Sequence, residues 1–397
     1  MNDIAELDRR IEQLLAEHPP MDTKPATFLG AQFDAGLAYV HFPEGHGGMG
    51  LAPGLQRHVD GRLFAEGAPS AFRGNPIGYG MGAPVVATFG SDEQKRRYLR
   101  PLFAGEHIWC QLFSEPGAGS DVASLATRAV RDGDEWVVSG QKVWTSLAHI
   151  ARYGLLLLRT DPSAPKHAGL TYFVLDMQAP GVDVRPLRQM TGEAEFNEVF
   201  LDGVRIPDAE RLGAVGDGWA VAMATLMYER FNTGDEASRG SGSISLALRE
   251  WRARPDKISP AAIAQRDRLV RAWVDAEVHR LTRLRAATQR QQGVPGPEGS
   301  VGKLSMATVN QATLDVTVGL LGAHGMLYPS GYEMTRPETM GLDLGRDAQR
   351  TFLRVQANSI EGGTSDIMRT ILGERVLGLP GEPRVDKDLP WADVPRS

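Results

Sequence analysis

The sequence changes texture twice, and this restricts it to a multidomain architecture with a β unit between helical ones. Strand-like sequence from about Trp109 to Leu212 is flanked on both sides by apolar residues at helical spacing. Its 397 residues are enough for two or three domains. The expected division is a helical domain over 1–108, a middle β domain over 109–215, a helical bundle over 216–378 and a tail over 379–397.

In the first unit Ile4, Leu7, Ile11, Leu14 and Leu15 form one helical stripe that ends at Pro19-Pro20. In SDEQKRRYLRPL, Ser91 precedes Gln94 by the three residues of a capping box. In the middle unit Asp132-Gly133 lies between two strand-like runs, a hairpin signal. YGLLLLRT, GLTYFVLDM and FNEVFLDGVRIP add further strands, so a small antiparallel barrel or sandwich is expected.

In the third unit, one helix carries Trp219, Ala222, Met223 and Leu226, and a second Val270, Trp273, Val274, Val278, Leu281 and Leu284. A third carries Leu304, Ala307, Gln311, Leu314, Val318 and Leu321, and a fourth Ile367, Ile371 and Leu372, which together read as a four-helix bundle. The tail from Leu379 is either ordered by contact or a loose extension.

Lys plus Arg number 43 against 49 Asp plus Glu, a net charge of −6, which gives no support for a nucleic-acid partner. The one cysteine, Cys110, permits no intrachain disulfide and suits a reducing compartment. The stretch Met1 to Pro20 has no signal-peptide layout, and the longest apolar run, Leu155–Leu158, is far too short to cross a membrane. A cytoplasmic protein without a membrane partner is expected. His41 and His46 lie in a glycine-rich loop without further ligands, so no metal site is expected.

Four segments can carry chemistry, and each also has a plain structural reading. Gln111-Leu-Phe-Ser-Glu-Pro-Gly-Ala-Gly-Ser-Asp121 is either a strand-to-loop turn or a ligand loop, its glycines admitting close approach and Ser114 and Ser120 adding donors. Lys142-Val-Trp-Thr-Ser146 is either a core tryptophan beside surface hydroxyls or an aromatic wall for a flat heterocycle. Tyr228-Glu229-Arg230 places two ionisable groups on or beside the apolar arc of Trp219, Ala222, Met223 and Leu226, which suits a structural ion pair or a functional carboxylate. Ile360-Glu-Gly-Gly-Thr-Ser-Asp366 is a capped turn whose cap is Thr364 or Ser365, or an anion site at a helix start.

Taken with FPEGHGGMG, FLDGVRIP and GGTSDIMRTILGERVLGLP, in this order and spacing, these segments resemble the acyl-CoA dehydrogenase family of FAD flavoproteins. The resemblance runs through nearly the whole chain. It implies an α+β multidomain, mainly α fold: an N-terminal helical domain, a middle antiparallel β-barrel and a C-terminal four-helix bundle. It implies FAD as cofactor, an acyl-CoA substrate, an electron-transfer flavoprotein or similar acceptor, and a place in fatty-acid β-oxidation and lipid metabolism. By resemblance Gln111, Phe113, Ser114, Gly119 and Ser120 line the cofactor, Ser120 also facing the thioester. Trp144 stacks on the isoalloxazine, with Thr145 and Ser146 at its edge, while Thr364, Asp366 and Gly322 serve the rest of FAD.

Family members hold the catalytic glutamate at one of two places. One corresponds here to Gly362, with Glu361 one residue out. The other, used by isovaleryl-CoA and long-chain enzymes, matches Glu229, flanked by Tyr228 and Arg230 on the substrate side. The backbone N–H of Gly362 is then the candidate donor to the thioester oxygen. The sequence departs from the family in Gly319-Leu-Leu-Gly-Ala-His-Gly325, where glycine replaces a glutamine, and in RGSGSISLALREWRARPD, which lacks a cross-subunit arginine pattern. The resemblance therefore implies a homo-oligomer (dimer or tetramer) or a mixed α2β2 assembly with a related subunit, and one alternative is that this chain is the flavin-binding or non-catalytic subunit that scaffolds an active partner. A same-fold flavin oxidase or monooxygenase is the remaining alternative.

Overall fold

The computed structural model describes residues 2–231, 238–291, 297–328, 332–340, 347–383 and 386–395, excluding the side chains of 2, 229–231, 290–291 and 298. The first unit holds α1 (Asn2–Glu17), α2 (Pro25–Asp34), α3 (Gln56–Ala65), α4 (Ala71–Gly74), α5 (Ala83–Phe89) and α6 (Asp92–Phe103). Leu7, Ile11 and Leu14 of α1 are buried against Phe28, Val59 and Leu63 of α2 and α3, as their spacing predicts. The capping box at α6 is formed in both directions between Ser91 and Gln94.

The middle unit holds β1 (Trp109–Leu112), β2 (Arg128–Asp132), β3 (Glu135–Ser146), β4 (Tyr153–Arg159), β5 (Leu170–Asp176), β6 (Val182–Leu187), β7 (Phe196–Pro207) and β8 (Arg211–Leu212). They form one sheet in the order β6-β7-β3-β2-β4-β5-β8, with β1 on β4. The sheet is mainly antiparallel, as expected, with two parallel contacts: β1 pairs β4 in parallel, and β2 meets β4 in parallel at Arg128 and Arg159. The hairpin between β2 and β3 turns at Gly133-Asp134, with Gly133 at φ +64°.

Both faces of β4 are buried, which explains its unbroken leucine run. Leu156 and Leu158 join Cys110, Trp136, Phe173 and Leu175 in a core enclosed by the sheet. Leu155 and Leu157 join Trp109, Tyr172 and Val174 in a second core that continues into Tyr98, Leu99 and Leu102 of α6. The sheet is thus welded to the first unit. Burial pushes the Cys110 thiol well up, so it is a core residue.

The third unit holds α7 (Gly218–Phe231), α8 (Ser243–Ala253), α9 (Pro260–Gln291), α10 (Glu298–Leu321), α11 (Ala348–Arg354) and α12 (Ser365–Ile371). Three sequence expectations are corrected here. The helix α8 was not read from the sequence, yet its Ile244 and Ala247 pack with Leu269 and Ala272 of α9 and Val316 of α10. The fourth helix is short, a seven-residue α12 continued by a π turn over Leu372–Val376. On α9 the core takes Ala262, Leu269, Ala272 and Ala286, whereas Val270, Val274, Val278 and Leu281 face outward at 53, 47, 57 and 52% exposure. Among the described residues no helix is long and apolar enough to cross a membrane.

Candidate active site

The flavin-type segment KVWTS lies at an irregularity of β3. Lys142 pairs with Val199 and Thr145 with Asn197, so Val143 and Trp144 together oppose Glu198 alone. This bulge re-aims the side chain: Trp144 sits at φ +60° and is 57% exposed. A tryptophan in the left-handed region is strained and persists only where neighbours fix it. Asn197 does so, its Nδ2 donating to the carbonyls of Thr145 and Glu195 at 3.1 Å each while Arg336 donates to its Oδ1 at 2.7 Å. Phe196 meets Trp144 edge-on at 5.8 Å between ring centroids. The outcome is an indole face turned out of the sheet.

Two of the buried polar atoms without a partner belong to residues of these segments, the Thr145 Oγ1 next to Trp144 and the Gln111 Nε2 on β1. Most buried polar groups are hydrogen-bonded, so the Thr145 hydroxyl is free to meet the polar edge of a ligand. An exposed aromatic face beside an unpartnered hydroxyl fits a flat heterocycle such as the isoalloxazine of FAD. The side chain of Phe113 is buried against Tyr172, and the Ser114 carbonyl accepts from the Val143 amide at 2.9 Å, which joins the SEPGAGSD loop to the tryptophan segment.

A second joint is deeper. Lys142 is fully buried, and its Nζ donates to Glu115 Oε1 at 2.8 Å and to the Phe113 carbonyl at 3.0 Å. Glu115 also accepts from the amides of Ala126 and Thr127 at 2.6 and 2.9 Å. Burial works against the Glu115 carboxylate, but Lys142 holds it below its ordinary pKa. This pair, absent from the sequence reading, sets the loop that carries Gly119 and Ser120, both of which are exposed.

Helix α7 closes another side. Its buried arc is Val221, Ala222 and Thr225, with Thr225 Oγ1 at 3.2 Å from the Tyr172 hydroxyl. Of the arc expected from Trp219, Ala222, Met223 and Leu226, Ala222 is in the core and Trp219 and Leu226 pack against it, whereas Met223 is corrected to the outside at 36% exposure. The inner face follows the sheet that α7 packs on, and apolar periodicity on a wholly apolar helix does not identify that sheet. The backbone position of Glu229, four residues beyond Thr225 and seven beyond Ala222, is on the same helix face as those two. The side chains of Glu229 and Arg230 lie outside the described residues. The Tyr228 hydroxyl is 3.0 Å from Thr88 Oγ1 of α5.

In the closing motif, Thr364 caps α12, its Oγ1 accepting from the Ile367 amide at 3.1 Å. Gly362 and Gly363 have φ of +61° and +92°, a conformation that favours glycine. Glu361 is engaged: Arg354 donates to both its oxygens at 3.1 and 2.9 Å, and Asn358 at 2.6 Å. Asp366 is turned to solvent and pairs with Arg369 at 2.8 Å. Gly322 stands apart from the other site residues, at φ +58° where α10 ends. Ser146 is half-buried at the end of β3.

Comparison with known proteins matches this arrangement domain by domain. The family models for the acyl-CoA dehydrogenase N-terminal, middle and C-terminal domains match residues 5–106, 110–204 and 216–377. The acyl-CoA dehydrogenase IpdE1 of Mycobacterium tuberculosis is 39% identical over 354 residues, covering 88% of this chain and 86% of that protein. The acyl-CoA dehydrogenase FadE34 of the same organism is 40% identical over 348 residues, but those cover 87% of this chain and 45% of that protein. The solved ChsE4-ChsE5 complex from Mycobacterium tuberculosis matches with a TM-score of 0.70 at 27% identity, covering 95% of this chain and 98% of that one. The chain belongs to the acyl-CoA dehydrogenase family and is an oxidoreductase whose cofactor is FAD.

Proposed function

We propose that this protein removes two hydrogens from an acyl-CoA thioester to give the trans-2-enoyl-CoA, with Glu229 as the base. The observation that carries this is the contrast between the two glutamates. Glu361 is held by a guanidinium and an amide, whereas Glu229 occupies a position on the inner face of α7, which packs on the same sheet as the Trp144 segment. A carboxylate among apolar residues has its pKa raised toward the working pH and can accept a proton from carbon.

Glu229 takes the α-proton, and the electron pair of that C–H bond becomes the new C=C bond as the β-hydrogen departs with its own pair. Bound FAD would supply the hydride acceptor, with an electron-transfer flavoprotein or similar acceptor as the partner that reoxidises it. The Gly362 amide, presented by a left-handed turn, donates to the thioester oxygen as it gains charge. Ser120 lies on the thioester side, and Tyr228 and Arg230 border the acyl group. Trp144, Thr145, Ser146, Gln111, Phe113 and Ser114 hold the isoalloxazine, and Thr364 and Asp366 the adenosine end.

Anaerobic titration of the FAD-loaded protein with acyl-CoAs of graded size should bleach the absorbance near about 450 nm for the suitable ones. No bleaching by any acyl-CoA in folded, FAD-loaded protein refutes the reading.

A second proposal concerns assembly. We infer a mixed assembly with a related chain, because Gly319 has no side chain to offer a pyrophosphate and the chain spans less than half of FadE34. Flavin stoichiometry per chain in the protein alone decides it: full occupancy in a homo-oligomer removes the need for a partner.

A further inference from the structure

Residues 386–395 run back across the middle unit and are fastened to two loops distant in sequence. The amides of Trp391 and Ala392 donate to the carbonyls of Ala164 and Pro162 at 2.9 and 3.0 Å, and Pro390 bridges to Pro165. The Trp391 Nε1 donates to the Ser124 carbonyl at 3.2 Å across a separation of 267 residues. The tail is therefore ordered by contact.

Beneath the indole lies Arg159, 2% exposed, with its guanidinium carbon 4.3 Å from the Trp391 ring centroid. Arg159 donates to the carbonyls of Ala123, Leu125 and Lys166, so one cation ties the 120–125 loop to the 161–168 loop. An aromatic face over a cation shielded from water is a strong form of this contact. Beside it, Lys166 Nζ donates to Asp121 at 2.9 Å and to Asp386 of the strap at 2.7 Å, while Ser124 Oγ donates to Asp121 at 2.6 Å.

Between these pieces is a cleft of about 320 Å³ lined by Ser120, Asp121, Lys166, His167, Asp386 and Lys387. His167 meets Trp219 of α7 at 4.6 Å between rings, which joins the cleft to the helix of Glu229. The strap thus supplies part of the wall and braces the loop that bears Ser120. Lys166 is engaged by two aspartates, and Lys387 is the other cation at the wall.

We propose that the 386–395 strap is a specificity-determining wall of the acyl-CoA cleft: Lys387 meets the phosphate-bearing arm of CoA, and Asp386, through Lys166 and Asp121, positions Ser120. The proposal rests on the acyl-CoA reading above. The test is calorimetric binding of free CoA to the full-length, FAD-loaded protein, which needs no knowledge of the acyl group. Lys387→Glu leaves every strap anchor in place and should weaken CoA binding about fivefold or more by charge reversal. The double variant Asp386→Asn/Trp391→Ala should weaken it about tenfold or more, with faster hydrogen exchange at the Trp391 and Ala392 amides and unchanged FAD content.

If those amides exchange faster while both variants bind CoA within about twofold of wild type, the strap is not a wall of the site. Wild-type protein that binds no CoA overturns the acyl-CoA reading itself, and this proposal with it.

Discussion

Of the two glutamates that a sequence offers as bases, Glu361 is the one whose carboxylate is already held by partners. Glu361 is fixed by Arg354, which also lies 3.5 Å from Glu195 and over the Phe196 ring that touches Trp144. Glu229→Gln keeps size and hydrogen bonding but cannot take a proton, so stopped-flow flavin reduction by an effective acyl-CoA should fall about 10²-fold or more. Glu361→Gln should leave that rate within about threefold, since it removes a brace and not the base. Reversed effects would move the base to Glu361. The Lys142–Glu115 pair predicts a stability effect: Lys142→Met leaves a buried carboxylate facing no cation and should cost about 3–5 kcal/mol in chemical denaturation. An unchanged denaturation midpoint would mean that Glu115 is neutral in the fold. Neither pairing was legible in the sequence. Arg354 and Asn358 look like ordinary helix residues there, and it is the 3-10 run over Val355–Ser359, carried on to a 2.9 Å bond from the Glu361 amide to the Ala357 carbonyl, that sets Glu361 on their side. The sequence left Trp144 open between a core residue and an aromatic wall, and the bulge that exposes it was not legible, because register between β3 and β7 is a tertiary property.

At the scale of elements, α9 and α10 are joined by His279, whose Nδ1 is 2.7 Å from Ser305 Oγ. Burial, aided by the charge of Arg283, pushes its pKa down to about 4. An unfolded imidazole titrates near about 6.5, so between these values the unfolded chain binds more protons and stability rises with pH. The contribution is complete above the unfolded value and is lost as pH falls toward the folded one, by up to about 3 kcal/mol. His279→Gln should shrink the difference between denaturation midpoints measured at neutral and acid pH; an unaltered difference would assign the acid sensitivity elsewhere. The elements themselves were read with uneven success, for physical reasons. α1 and α6 were plain because each has one apolar stripe and a clear cap or stop. β4 was plain as an apolar run, though not that it serves two cores. α8 was hidden because its alternation is short and it follows a glycine-serine stretch, and the inner face of α7 because almost every side of that helix is apolar.

At the scale of the whole molecule, the outward row Val270, Val274, Val278 and Leu281 on α9 is an apolar face that a single chain leaves in water. Faces of this kind mark contacts between subunits. The pair Val274→Arg and Val278→Arg, made together, should lower the mass measured by light scattering without reducing helix content. A wild-type protein that is monomeric throughout its working concentration range would refute an oligomeric face. Trp144 bears on handling in the laboratory. A strained, half-exposed indole beside an unpartnered hydroxyl is a poor surface for a chain newly made without its flavin, and it invites self-association. Cofactor at a hundredfold excess over its dissociation constant adds about 2.7 kcal/mol to the folded state and, in the site proposed above, would cover that ring. The amount of soluble protein recovered from expression should therefore follow the supply of riboflavin in the growth medium.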